Sequence, residues 1–569
     1  MKKIFTLFIL CCCVVLFSKA QSTRHIVEFT DKKGTQFSLG NPSAYLSAKS
    51  IARRTKQKIS IDSTDLPLSK TYLDSIAAVP NVVIRNQSKW LNQILIITSD
   101  AAALAKINSF PFVKSVKAIA PLARPTEDII AKKKDQTYEL GNELLSRMNN
   151  GTKTEGVNDI QYGGTFNQIH IHEGEYLHNL GFTGDGITIA VLDAGFQAYK
   201  TNPALDSMRL QGRVLGEWDY VMNEASVNED YVHGAYCLSI IAANRPGSIV
   251  GSAPHASFWL LRTEDVYSEY PVEEQYWIAA AEFADSAGTD MISTSLGYNI
   301  FDDPSYNHTY PERNGNTTMI TRAADLAAKK GIIVTASAGN DGQRTDDYKF
   351  VSCPADADSV LTVGAVNGAG TIAAFSCWGP NSAGKVKPNV VSVGQGTILA
   401  NTIGNPIGGN GTSYANPNMA GLVACLWQAF PEFTNMEIID AVQHSADRFL
   451  TPDERYGYGI PNFRIAYNQL LIERQRRKYA TVLGNEWMKA YPVPYSTNFN
   501  LLIKAPMDGK ATIQLSNAMG QQLERQTLET DADHYYLINF TQAPVLAKGV
   551  YFIRYEDGKN KRTIKIVKR

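Results

Sequence analysis

The sequence predicts an α/β protein whose central part is a doubly wound parallel sheet with helices on both faces, preceded by a small α+β unit and followed by a small β-sandwich. Three observations carry this. Continuous apolar or β-branched runs (Ile187–Leu192, Asp290–Ser295, Gly331–Ala336, Val360–Ala365) alternate with amphipathic stretches such as Tyr276–Ser286 and Met319–Lys330, the pattern of buried parallel strands and their crossover helices. Before them, short elements between Thr23 and Arg124 follow one another in the order βαββαβ. After them, Phe499–Ile503, Ala511–Leu515, Tyr551–Tyr555 and Thr563–Val567 read as short strands separated by turns such as Asp508-Gly509 and Asp557-Gly558.

Taken in order, the chain of 569 residues opens with Lys2-Lys3, an apolar run Ile4–Phe17 and Ser18-Lys19-Ala20, the build of a secretory signal cut after Ala20. The run is shorter than the roughly 20 residues that span a bilayer, and no later segment is apolar enough for a transmembrane helix. Residues 21–123 form the α+β unit, ferredoxin-like in element order, with one helix expected around Tyr72–Ile76 and another from Ala101 to Ile107. Residues 124–164, which include Lys132-Lys133-Lys134, read as an exposed, cleavable linker. The parallel-sheet domain is expected over 165–472, the helical signal fading after the basic run Glu473–Lys478, and the β-sandwich over 490–569.

Lys+Arg and Asp+Glu number 55 each, but residues 151–470 carry 17 against 35, a net of −18 that the flanks balance. An acidic centre excludes nucleic acid as a partner and favours docking of a basic N-terminal flank. Three of seven cysteines fall in the signal, leaving Cys237, Cys353, Cys377 and Cys425. Four thiols make no disulfide framework. One or two bridges are compatible with them, Cys353 to Cys377 being the first pair to test, and buried free thiols are expected at Cys237 and Cys425.

Gly184-Asp-Gly186 precedes its strand and so is no nucleotide-binding loop. It leaves Asp193 directly after a buried strand. His233 opens an apolar helix, with Gly234 allowing close backbone approach. Ser413, in Gly408-Gly-Asn-Gly-Thr-Ser413-Tyr-Ala-Asn-Pro417, opens another, where a serine commonly serves as a cap and Pro417 suits a first turn. Singly each reads as structural. As a set they supply what a serine nucleophile needs, an imidazole to take its proton and a carboxylate to hold that imidazole. His170-Ile-His172 and His178 lack further ligands for a metal and read as a surface entry segment.

The order Asp193, His233, Ser413, with Val191-Leu-Asp193, His233-Gly234, Gly411–Pro417 and Ala420-Gly421, resembles the subtilase family of serine proteases over about residues 181–471. That resemblance implies an extracellular endopeptidase working through an acyl-enzyme on Ser413. It also implies an oxyanion hole from the Asn340 amide and the Ser413 N–H, and an edge segment Ser295-Leu296-Gly297 for extended polypeptide substrates. No cofactor is required, although the family's structural calcium is not readable. The family's His-Gly-Thr-His-Val-Ala-Gly is here His233-Gly-Ala-Tyr-Cys-Leu-Ser239, which puts the packing of that helix in question. Residues 21–123 resemble a subtilase pro-domain that inhibits in cis. Tyr491-Pro-Val-Pro-Tyr495, Ala518-Met-Gly520, Lys548–Ile553 and Lys565–Arg569 resemble the sorting domain of the type IX secretion system of Gram-negative bacteria, implying export to the surface or medium. The alternatives are a catalytically dead, subtilase-like adhesin or binding module and an esterase; the latter is disfavoured because no Gly-x-Ser-x-Gly surrounds Ser413.

Overall fold

The computed structural model describes residues 22–121, 160–229 and 231–569; the expected signal segment and most of the expected linker lie outside them. The chain divides into two compact units, Met1–Tyr467 and Asn468–Arg569.

The first unit begins with strand β1 (Ser22–Phe29), helices α1 (Ala48–Gln57) and α2 (Lys70–Ala77), strands β2 (Val83–Ser88) and β3 (Gln93–Ile97), helix α3 (Ala101–Asn108) and strand β4 (Val113–Pro121). The strands form an antiparallel sheet in the order β2-β3-β1-β4, covered by an apolar cluster that includes Val27, Ile76, Ile96 and Ile107. The arrangement is the expected α+β one with an addition: α1 was not apparent in the sequence. Its residues AKSIARRTKQ offer a single large apolar side chain, Ile51. Instead α1 buries arginines.

Those arginines meet the central domain. Arg54, 1% exposed, bridges Asp65 at 2.7 Å and Asp285 at 2.8 Å, and Arg53 pairs with Asp285 as well. Lys330 reaches Asp65 at 3.0 Å, and Lys49 reaches Asp290 at 2.7 Å. Nearby, Glu282 accepts from the Lys89 and Trp90 backbone N–H groups and the Ser88 hydroxyl. The charge asymmetry of the sequence is thus realised as specific pairs. Burial alone would raise the Asp65 carboxyl, but Arg54, the Asp62 N–H and Lys330 outweigh it and hold it below the usual range.

The central domain contains strands β5 (Thr188–Asp193), β6 (Val214–Asp219), β7 (Ser257–Arg262), β8 (Met291–Thr294), β9 (Ile333–Ser337), β10 (Leu361–Asn367), β11 (Val390–Ala400) and β12 (Pro406–Asn410). They form one sheet in the order β12-β11-β10-β9-β8-β5-β7-β6, parallel except for the β11–β12 hairpin. Helices α4 (His233–Ala242), α5 (Val272–Ala287), α6 (Met319–Lys329) and α7 (Thr412–Ala429) pack on it. Both sheet faces are therefore covered, which is why β5, β8 and β9 are buried at every position.

Two expectations change here. His172 and His178 are core residues, not surface ones: His172 bonds Ser392 Oγ at 2.9 Å and the Pro461 carbonyl at 3.0 Å, and His178 bonds Tyr162 Oη at 2.7 Å and the Ser252 carbonyl at 3.0 Å. Burial lowers both imidazoles to about 4, so they are neutral structural groups. Cys353 and Cys377 are free, as are Cys237 and Cys425. Cys377 Sγ instead accepts the Asp341 N–H at 3.3 Å, and Cys353 lies within the same apolar core cluster.

A helix over Phe463–Leu483 runs through the basic segment, past the point where helix was expected to fade. In the second unit, strands at Met488–Tyr491, Asn500–Lys504 and Tyr535–Asn539 form one antiparallel sheet, and Gln522–Thr530, Gly509–Asn517, Gly549–Glu556 and Lys561–Lys568 form another. Leu501, Ile513, Tyr555 and Ile566 share one buried cluster, the core of the expected β-sandwich.

Candidate active site

Asp193 is the last residue of β5, whose positions are all buried, and its carboxylate is fully enclosed. Oδ1 accepts from the Ala194 N–H and from His233 Nδ1, each at 2.7 Å. The approach is possible because residue 234 is glycine: a Cβ there would stand 2.4 Å from the Gly195 carbonyl oxygen and 2.9 Å from Asp193 Cβ. The start of α4 is thereby pressed against the end of β5, which carries the imidazole to the carboxylate. Burial alone would lower the His233 pKa, but the Asp193 carboxylate outweighs it and holds the ring well above its usual range.

The departures in α4 are accommodated. Ser239, where the family has glycine, is buried and donates to the Tyr236 carbonyl at 2.8 Å while accepting the Ala400 N–H at 2.9 Å. It ties α4 to β11 and leaves no orphaned hydroxyl.

Ser413 is the second residue of α7 and 7% exposed. It is not the cap, since that position is Gly411 and the Thr412 N–H is satisfied at 2.8 Å by Asn340 Oδ1. Ser413 Oγ donates to the Ser295 carbonyl at 3.3 Å, and it lines the same cavity, about 180 Å³, as His233 and Asn340. Bonds between a nucleophile and its base are often loose in the absence of substrate and tighten on binding.

Pro417 lies at the sixth position of α7, beyond the first turn where the sequence reading put it. Its missing N–H frees the Ser413 carbonyl four residues earlier. That carbonyl accepts instead from Ser295 Oγ at 2.9 Å and from Cys237 Sγ at 3.3 Å. The proline thus allows α7 to be laced to β8 and α4 at the residue that carries the hydroxyl. Neither contact was readable in the sequence, where Cys237 figured only as a core thiol.

Asn340 follows β9. Its Oδ1 is held by the Thr412 N–H and hydroxyl, at 2.8 and 2.9 Å, which fixes the amide with its NH₂ turned away from Thr412. A Cβ on Gly411 would sit 3.8 Å from Asn340 Nδ2 and 3.7 Å from the Ser413 nitrogen, so these two donors border the same spot. Of the predicted edge segment, Ser295 spends both its hydroxyl and its carbonyl on Ser413, and Leu296 is buried in the core. What Ser295–Gly297 presents to the cavity is therefore mainly backbone and the bare Gly297. All seven residues named from the sequence fall in this one place, at the ends of β5, β8 and β9 and the starts of α4 and α7.

Comparison with known proteins gives three family matches along the chain. The profile described as "Subtilase family" matches residues 184–459, "Peptidase S8 propeptide domain, Bacteroidota" matches 24–136, and "Secretion system C-terminal sorting domain" matches 489–569. The chain is 32% identical to subtilisin of Bacillus pumilus over 292 residues, 51% of this chain and 94% of that protein. It is equally identical to subtilisin E of Bacillus subtilis, covering 68% of it, and 27% identical to the serine protease AprX of the same species, covering 49% of this chain and 66% of that one.

Proposed function

This chain belongs to the subtilase family and is an exported serine endopeptidase with its own propeptide domain and secretion sorting domain; from that premise we propose that Ser413, His233 and Asp193 carry the reaction and that Asn340 and the Ser413 N–H bind the oxyanion. Ser413 Oγ adds to the carbonyl carbon of the scissile bond as His233 Nε2 takes its proton. Asp193, bonded to Nδ1, keeps Nε2 available as the base and stabilises the imidazolium. The imidazolium then protonates the departing amine as the C–N bond breaks, leaving an ester on Ser413. Water, deprotonated by the same imidazole, adds to that ester and returns the hydroxyl. None of these steps calls for a metal or an organic cofactor. An extended polypeptide pairs with the backbone of Ser295–Gly297.

The observation that carries this reading is the 2.7 Å Asp193–His233 bond opening onto the cavity that Ser413 and Asn340 line. A fluorophosphonate should label Ser413 in the matured protein and fail to label Ser413→Ala. A folded, processed protein that takes no label would leave the binding-module alternative standing.

The Asn340 assignment makes its own demand. Asn340→Ala should lower kcat by about 10² to 10³, the size known for the corresponding donor in subtilisin, with KM changed little. A loss confined to KM would assign Asn340 to substrate binding instead.

A pH profile follows from the His233 environment. The base must be neutral, and its pKa is held above the ordinary 6.5, so kcat/KM should rise with pH along a limb centred above 6.5. Removing the charge with Asp193→Asn should move the limb of the residual activity downward, because burial is then the dominant influence on the ring.

A further inference from the structure

We propose that the cleft beside Ser413 selects a lysine or arginine side chain on the residue whose carbonyl is attacked, and that Asp341 and Ser352 are the residues that select it. The inference rests on Ser413 being the nucleophile and adds the substrate class.

The position of the pocket comes from the sheet. Strands β8 and β9 are adjacent and parallel, with Thr294 beside Ala336, so the segments that leave them, Ser295–Gly297 and Ser337–Gly339, run side by side. Both walls are glycine where they approach Ser352: a Cβ on Gly297 would lie 2.2 Å from Ser352 Oγ, and one on Gly339 would lie 3.4 Å from it. The hydroxyl therefore sits between the two walls, hard against the one at Gly297 and at ordinary contact distance from the one at Gly339. The Ser413 hydroxyl stands beside the same pocket through its bond to the Ser295 carbonyl.

Ser352 is 4% exposed, and its Oγ has no hydrogen-bond partner among the described residues although it lines the cavity. A buried hydroxyl without a partner is unfavourable, and a substrate that supplies one is preferred over a substrate that cannot. An apolar side chain would leave it orphaned; an ammonium or guanidinium would donate to it.

Charge separates a cation from a neutral polar side chain. Asp341 lines the same cavity, and burial raises its carboxyl, so its charge is incompletely solvated. Arg344 and Arg313 act on this carboxyl from a distance without offsetting its burial, and Arg344 is itself engaged by Asp346 through contacts of 2.9 and 2.7 Å. Glu264 and Glu269 line the cavity as well, and no lysine or arginine is among its described lining residues. A positively charged side chain entering this pocket meets carboxylates and an unused hydroxyl; a negatively charged one meets repulsion.

The test uses the full chain, matured by its own processing, and peptides that differ only in the residue before the cleaved bond. Fluorophosphonate labelling is measured first, since an unlabelled protein removes the nucleophile reading and this inference with it. In labelled enzyme, kcat/KM for Lys or Arg should exceed that for Gln by about tenfold or more and that for Glu by about 10² or more. Asp341→Asn should lower the Lys-to-Gln ratio about tenfold, Asp341→Lys should invert the Lys-to-Glu order, and Ser352→Ala should raise Phe relative to Lys. A labelled enzyme that prefers Phe or Leu, or a Lys-to-Gln ratio unmoved by Asp341→Asn, overturns the proposal while leaving the serine mechanism intact.

Discussion

Replacing Ser413 with alanine is expected to lower kcat about 10⁶-fold, the order known for the same loss in subtilisin, because base and orienting carboxylate are idle without the hydroxyl they serve. The fold should survive. Ser413 is held chiefly through its backbone: its carbonyl takes the Ser295 hydroxyl and the Cys237 thiol, and the side chain contributes one 3.3 Å bond to the Ser295 carbonyl. Two readouts check this. The first is peptide hydrolysis by the variant after its pro-segment has been removed in trans by wild-type enzyme. The second is the variant's own precursor, which should remain uncut when expressed alone. A precursor that matures normally would show that another protease performs the cleavage, and residual turnover near wild type would remove Ser413 from the chemistry.

The second large effect is expected at the pro-domain interface. Asp285, fully buried, is shared by Arg53 and Arg54 of α1, and Arg54 also holds Asp65. Taking one partner from a buried ion pair costs about 3 to 5 kcal/mol, largely because the remaining charge stays desolvated. Asp285→Ala leaves two buried guanidinium groups short of an acceptor, so inhibition of the matured variant by added pro-domain should weaken by about 10² to 10³. Hydrolysis of a short peptide by the same variant provides the control, since Asp285 lies near the end of α5, outside the residues that line the cleft. An inhibition constant within about threefold of wild type would place the binding energy elsewhere, for instance in the Glu282 contacts with Ser88, Lys89 and Trp90.

The interface also has a sign with respect to acid. The Asp65 carboxyl is depressed within the assembled unit, so its contribution is present above its free value, near 3.9, and is lost as pH falls through the lower, assembled one. Neutral and alkaline media therefore keep this pair intact.

What the sequence determined by itself was whatever is encoded within a few neighbouring residues. Apolar runs such as Ile187–Leu192 mark parallel strands because both their faces must be covered, and short motifs around Asp193, His233, Asn340 and Ser413 mark strand ends and helix starts because the local backbone there has few alternatives. The order of the motifs then identifies the set. What only the tertiary structure decided depends on partners far along the chain. Helix α1 carries no apolar stripe, and its arginines become interior only because Asp285, some 230 residues later, is there to receive them. The two histidines expected at the surface are core because Ser392, Pro461 and Ser252 close over them. Pro417 reads as a first-turn residue until the Ser413 carbonyl it frees is seen to take Ser295 and Cys237. Ser352 is an ordinary serine in Val351-Ser-Cys-Pro354 until Gly297 and Gly339 arrive on either side of it. Periodicity and turn chemistry are local and can be read from a string; the environment of a polar atom, which sets its burial, its charge and its use, is assembled from residues the string holds apart.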